Sequence, residues 1–383
     1  MANTLTSLIP DCYAALDVVS RELVGFIPSV ARDSRVDRVA LNQTLRSPAT
    51  NANTAGADIT PAMSLPSAAS QTVNNKSLTI TKTRLFPFSW TGEEEYSVEQ
   101  GPGFLTIKQD QIAQALRAAC NEIETDIAIA AAAGASRAYG LTAGAAPLFT
   151  DWAQAKKILD DNGAPASDRS SVIDTTAGVA LRSTSNLYKV NEGGDSTMLR
   201  QGVLGSLFNF NIRESAQVQT TTKGTGASAT TNAAGYAIGA TTLTLAAAGT
   251  GTIVAGDIVT FAGDSNKYVV ATGIADVSVG GTIVIAAPGL RVAMSAATKA
   301  ITVFGTSTRN CAFSRNAIVL ATRLPVIPDG GDMALDRATI TDPRSGLSFE
   351  IAMYPGFRMV TYHVSVCWGV TVFKPEHLAV IIG

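Results

Sequence analysis

The chain has 383 residues, of which 46% are hydrophobic and only 16% charged, with a formal net charge of −2. An ordinary soluble domain is about 25% charged, so something other than charge must keep this surface from aggregating, and burial against partner subunits is the simplest candidate. The balance also excludes a protein that condenses nucleic acid through a basic face by counterion release.

At roughly 150 residues per domain, the length predicts two or three compact units. The longest uncharged stretch, 224–256, is too rich in Gly, Thr and Asn for a membrane helix, which needs about 20 mostly apolar residues. No Lys or Arg precedes Arg21, so no signal peptide with a basic head is expected. Cys12, Cys120, Cys311 and Cys367 stand far apart with no CxxC pair. They are expected to be buried free thiols of a protein made in a reducing cytosol.

In chain order, residues 10–27 space Tyr13, Leu16, Leu23, Val24 and Ile27 as on an amphipathic helix, with Pro10 suited to its first turn. From Ser47 to Asn75 the composition turns to Ala, Thr, Asn, Ser and Pro, with Asp58 as the single charge. Such a stretch cannot bury a core of its own. The flanks 41–46 and 78–90 read as strands, so a protruding hairpin is predicted, its root anchored by Phe88 and Trp90. A disordered insertion is the competing reading. Glu93-Glu94-Glu95 is expected to be a solvated turn or a helix start rather than a cation site.

A long helix is predicted over 105–134, where Ile112, Leu116, Cys120, Ile123, Ile127 and Ala130 follow steps of three and four. Gly134 marks the region of its end. A shorter helix is predicted over 151–161, stopped by Asn162-Gly163. Residues 224–303 carry only six charged side chains. Their short β-like runs at 241–245, 258–261, 267–270, 282–285 and 301–304, with Gly and Asp at the turns, predict a small barrel or sandwich. Near the end, Val360, Tyr362, Val364, Val366, Trp368, Val370 and Val372 alternate with polar residues such as His363, predicting a strand over 359–373. A rod and a strand of such length together predict a flat, elongated subunit, a shape suited to a tile.

The catalytic inventory is thin. His363 and His377 are the only histidines, and neither sits in a catalytic pattern. The run Gly263-Asp264-Ser265-Asn266-Lys267 fails the G-x-S-x-G elbow at its last position. The chain has no Gly-Lys dipeptide and hence no phosphate loop. Gly249-Thr250-Gly251 lacks a third glycine, and ligands for zinc are too few. No enzyme activity, cofactor or metal is expected.

The order of these features resembles the tailed-phage major capsid proteins of the Hong Kong 97-type fold, in the podovirus subgroup with an inserted β-domain. The segment 16–28, Leu-Asp-Val-Val-Ser-Arg-Glu-Leu-Val-Gly-Phe-Ile-Pro, resembles the start of podovirus coat proteins. Gly202-Val203-Leu204-Gly205 leading to Phe210–Ser215, and Asn310-Cys311-Ala312-Phe313 through Ala317, resemble segments of capsid A-domains. Gly256–Phe261 and Gly289-Leu290-Arg291 look like the inserted domain.

The resemblance implies an α+β fold with a long spine helix, an extended E-loop hairpin and an inserted small all-β barrel. It divides the chain into an N-terminal arm (1–44), the E-loop (45–92), the spine helix (93–140), an A-domain (141–223 and 304–345) around the insertion (224–303), and a terminal P-domain strand (346–383). It implies a virion shell protein, assembled in the bacterial host cytoplasm, that forms hexamers and pentamers with itself. A scaffolding protein, a portal and double-stranded DNA held without sequence-specific binding are the other implied partners, and no membrane is. Within the E-loop, Pro48, Asp58, Pro61, Pro66 and Lys76 are the candidate inter-subunit contacts. An encapsulin-like nanocompartment shell is the structural rival, and a secreted β-rich adhesin the rival from another class.

Overall fold

The structure, a computed structural model, describes residues 25–50, 61, 73–99, 104–184, 189, 201–342 and 346–383. Its first half holds strands β1 (Ala31–Val39), β2 (Thr44–Thr50), β3 (Val73–Thr79) and β4 (Lys82–Thr91), then helices α1 (Gly92–Glu99) and α2 (Phe104–Gly134). There follow β5 (Arg137–Tyr139), α3 (Phe149–Asp161), β6 (Arg169–Ile173), α4 (Thr175–Arg182), β7 (Ser206–Leu207), β8 (Phe210–Glu214) and β9 (Thr220–Thr221). The block expected to be inserted holds β10 (Thr242–Leu245), β11 (Ile258–Phe261), β12 (Lys267–Thr272), β13 (Gly281–Ile285) and β14 (Ile301–Val303). The chain ends with β15 (Ser307–Ser314), β16 (Ile318–Pro325), β17 (Asp336–Thr341), β18 (Ser348–Gly356), β19 (Met359–Val372) and β20 (Leu378–Ile382).

The long helix and the long strand lie together. At 31 and 14 residues, α2 and β19 are each about 46 Å long. Alternation places Tyr362, Val364, Val366 and Trp368 in one buried core with Ile112, Leu116, Ala119, Ile123 and Ile127 of the helix. β19 pairs antiparallel with β4 from Met359↔Thr91 to Trp368↔Lys82. It also pairs with β18 at its start and with β16 at its end. The resulting six-stranded sheet runs β1-β16-β19-β18-β17, with β4 also on β19.

Besides β19 and β4, α2 also packs against β12, β15 and β20 of the second sheet. The buried positions differ from the expected stripe at two places. Ala131 and Ala135 are buried while Ala130 is only partly so, and Cys120 likewise gives way to Ala119. Gly134 ends the helix without a left-handed φ. Its glycine is required by close approach, since a Cβ there would stand 2.6 Å from Val372 Cγ2. Gly163 does take the left-handed conformation (φ 74°) just beyond α3, as the Asn-Gly stop predicts.

The second sheet has twelve strands, with β5, β20, β15, β6 and β8 at its centre. Residues 224–303 close their own apolar cluster, in which Leu243, Leu245, Phe261, Tyr268, Val270 and Ile283 are buried. The same block also extends the central sheet, because β12 pairs with β5 through Lys267↔Ala138 and Tyr268↔Arg137. Ile258 and Val269 belong to the main core. The block is therefore joined to the rest by backbone hydrogen bonds as well as by its two chain connections.

Two expectations need correction. The run 78–90 is two strands rather than one, broken at Ile80-Thr81, where Ile80 N–H turns to Gln43 O (3.0 Å) and Thr81 N–H to Trp368 O (3.1 Å). The helix expected over 10–27 does not reach Ile27, because Phe26–Ser29 form a tight turn with Ser29 N–H donating to Phe26 O at 2.8 Å. The earlier part of that helix lies outside the described residues.

Candidate assembly surfaces

The hairpin stem is a separate two-stranded sheet, in register from Thr44↔Thr79 to Thr50↔Val73. Its root is well packed. Leu78 and Ile80 are buried with Val39, Ala321 and Cys367, and Leu45 and Phe373 close the cluster. The expected anchors lie one strand further on, in β4. Trp90 is buried and its Nε1–H donates to Gln111 Oε1 of α2 at 2.6 Å. The Phe88 ring stacks on Tyr362 with centroids 5.2 Å apart.

The five candidate contact residues divide by position. Pro48 sits on β2 opposite Asn75, and Pro61 is exposed. Asp58 and Pro66 lie outside the described residues. Lys76 turns back to its own chain, where its ammonium donates to the Phe373 carbonyl and stands 6.0 Å from the Phe373 ring centre. Lys76 thus fastens the stem to the end of β19.

Beneath the hairpin a charged ladder fixes α2 on β4. Lys82 Nζ donates to Asp126 (2.8 Å) and Glu122 (3.1 Å), and Arg84 Nε donates to Glu122 (3.0 Å). Trp368 Nε1–H donates to the other Asp126 oxygen at 2.8 Å. On the opposite side of the helix, Glu124 is fully buried and accepts the N–H groups of Phe26 and Ile27, each at 3.0 Å. Burial pushes its carboxyl up to about 7, although amides of Ile27 and Phe26 and the Ser215 hydroxyl favour the ionised form.

Sequence reasoning missed Glu124, because one carboxylate inside a long helix reads as a surface residue. Its position one step from Ile123, in the middle of the apolar stripe, was the available signal. It also missed Arg309, a lone cation on β15 whose burial depends on the strands packed around it. That guanidinium is buried, has no hydrogen-bond partner among the described residues, and is held down to about 10 by burial.

Glu93-Glu94-Glu95 form the first turn of α1. Thr91 N–H donates to Glu94 Oε2 (2.9 Å) while Glu94 N–H donates to Thr91 Oγ1 (3.2 Å), a reciprocal helix cap. Burial lowers the pKa of both histidines, and His363 lies against Tyr354 with ring centres 4.7 Å apart. Cys311 and Cys367 are buried free thiols and Cys120 is half-buried. Among the described residues no group of three or more His, Cys, Asp or Glu is placed to hold a metal ion. No helix among them is long and apolar enough to cross a membrane.

No protein-family model matches the chain, and no curated protein does. Several solved structures resemble it over most of its length. The capsid of cyanophage P-SCSP1u is 12% identical, with 92% of this chain and 86% of that one covered and a TM-score of 0.49. The mature capsid of bacteriophage PhiM1 is 11% identical, with 94% and 86% covered and a TM-score of 0.46. A virus-like particle from Pyrococcus furiosus is 8% identical, with 98% of each chain covered and a TM-score of 0.41. At these identities and TM-scores no residue role follows from the likeness.

Proposed function

We propose that this chain is the major capsid protein of a tailed phage and builds the icosahedral shell around its double-stranded DNA. The observation that carries the reading is one arrangement within the fold. A helix and a strand of equal length, about 46 Å each, share one core, and a two-stranded hairpin is set apart from both large sheets. Such a body is a stiff plate with an arm. Identical plates joined by heterologous contacts close into rings when the rotation allows, and several modest contacts per plate suffice once the first has formed.

In this reading α2 is the spine, β2–β3 the stem of the E-loop, and residues 224–303 an insertion in the A-domain. Pro48, Asp58, Pro61 and Pro66 are the hairpin positions proposed to meet a neighbour. Lys76 is the fifth such position, at the base of the arm, where it also bonds to Phe373 of its own chain. Hexamers and pentamers of the chain itself, a scaffolding protein and a portal are the proposed partners. The assembled shell belongs to the virion and forms in the host cytoplasm. DNA is enclosed without a basic lining, in keeping with the net charge of −2.

The test is to purify particles formed by the chain in infected or expressing cells and determine their contents. Particles from infection that carry nuclease-protected DNA support a phage capsid. Particles loaded with a cargo enzyme point to a nanocompartment shell instead, and a chain that stays monomeric at every concentration rules out both.

A further inference from the structure

Where α3 meets the strand pair β5–β12 there is a cavity of about 320 Å³, at the small end of the roughly 300–1,000 Å³ spanned by small-molecule sites. Gln154, Lys157, Ile158 and Asp161 follow steps of three and four along α3, so one face of that helix forms a wall. The rest is Arg137–Leu141, which is β5 and the two residues after it, and Ser265–Lys267 at the start of β12. These parts are held in place. β5 pairs with β12 through Lys267↔Ala138, and Arg137 Nη2–H donates to Ile158 O of α3 at 3.2 Å. The cavity therefore borders both the main body and the 224–303 block.

Three cations, Arg137, Lys157 and Lys267, line the cavity against one carboxylate, Asp161, in a chain whose net charge is −2. The chain itself leaves their donors underused. Arg137 is only 4% exposed, yet its Nε–H has no hydrogen-bond partner. Its bonds to Asn266 and Asn162 are long, 3.3 Å each, and Asp161 stands 3.6 Å away. The Lys267 ammonium donates to the Gly140 carbonyl and lies 3.9 Å from the centre of the Phe304 ring, both neutral partners. Lys157 is exposed and forms no ion pair among the described residues. Burial lowers the pKa of both Arg137 and Lys267, and the charge of Arg291 adds to this at Arg137. An anion in the cavity would relieve both.

We propose that this cavity binds a phosphate group. Three cations against one carboxylate suit the charge of a phosphate, about −1.5 to −2 near pH 7. Its several acceptor oxygens match donors that come from separate elements: the Arg137 Nε–H, the Lys157 and Lys267 ammonium groups, and the Ser265 hydroxyl and Gln154 amide beside them. The source is free phosphate or a phosphate carried on a small molecule, for which Tyr139 and Leu141 add apolar wall. Bound there, the group ties α3 and β5 of the body to the start of β12, supplementing the backbone pairing that joins the 224–303 block. This inference stands apart from the shell reading, and either can fail without the other.

The test titrates the full-length chain with inorganic phosphate and, separately, with adenosine monophosphate, at constant ionic strength set by chloride. Calorimetric titration reads binding, and thermal denaturation reads the stabilisation linked to it. One saturable phosphate per chain is expected, with a melting temperature that rises as phosphate is added. Lys157→Glu changes an exposed side chain and Gln154→Glu a partly buried one, and circular dichroism of each confirms that the chain still folds. Each adds a carboxylate to the cavity wall and is expected to weaken binding at least about tenfold. Affinity for the nucleotide no greater than for phosphate identifies free phosphate as the ligand, and tighter nucleotide binding identifies a carried phosphate; both support the site. No saturable binding of either compound into the millimolar range overturns it, as does unchanged affinity in either variant.

Discussion

The backbone N–H of Phe26 donates to the Glu124 carboxylate at 3.0 Å across 98 residues of sequence, and both groups are buried. Ile27 N–H donates to the same carboxylate. One side chain in the middle of α2 thereby ties the entry of the chain to the helix on which both sheets pack.

This tie predicts a pH dependence. Burial holds the Glu124 carboxyl at about 7, above its ordinary 4.5. A raised folded-state pKa means that folding binds the proton, so the stability it contributes is complete below about 4.5 and is lost as pH rises through about 7. The shift corresponds to roughly 3 kcal/mol. His363 and His377, lowered by burial, act in the opposite sense and lose stability as pH falls. The difference between wild type and Glu124→Gln cancels the histidines. Chemical denaturation between pH 5 and 8 should show the wild type losing stability relative to Glu124→Gln as pH rises, and parallel curves would contradict the assignment.

Ile123, adjacent to Glu124, has no exposed surface and faces the shared core. Ile123→Asp buries a carboxylate with no amides aimed at it, a cost of several kcal/mol. The variant should fail to fold, giving insoluble protein or a far-ultraviolet spectrum without the native helix signal. A soluble, native-like monomer would place the stripe in solvent.

The α2 stripe and the β19 alternation were legible because both periods persist over many residues, and Ile112, Ile123, Tyr362 and Trp368 fall where their spacing puts them. The runs 258–261 and 267–270 were legible for the same reason, bracketed by Gly and Asp. What escaped was anything decided by distant partners. Nothing local shows that Lys267 and Tyr268 pair with Ala138 and Arg137, nor that the run 78–90 breaks at Thr81 to meet Trp368. Nor does anything local show that Lys76, in a polar stretch, finds the Phe373 carbonyl of its own chain as an acceptor.

Tyr268 shows how the 224–303 block is held. Its hydroxyl donates to Asp264 at 2.6 Å and accepts Arg291 N–H at 2.9 Å, and burial followed by the Asp264 bond raises its pKa. Tyr268→Phe strips partners from two groups and should cost about 1–3 kcal/mol with no change of fold. An unchanged melting temperature would show that the hydroxyl is not what fastens this loop to the strand.

Pro61 offers a chemical probe of the hairpin. It is exposed in the single chain and is one of the positions proposed to meet a neighbour. Pro61→Cys should react rapidly with a maleimide in the free subunit and slowly in assembled particles. Equal reactivity in both states would take the hairpin tip out of the inter-subunit contacts.

The central claim is that the chain is a shell-forming tile, and cryo-electron microscopy of purified particles tests it most directly. The account predicts a closed icosahedral lattice of hexamers and pentamers in which each subunit shows the α2–β19 pair lying along the shell wall. Discrete small oligomers, or open aggregates without that lattice, would contradict it.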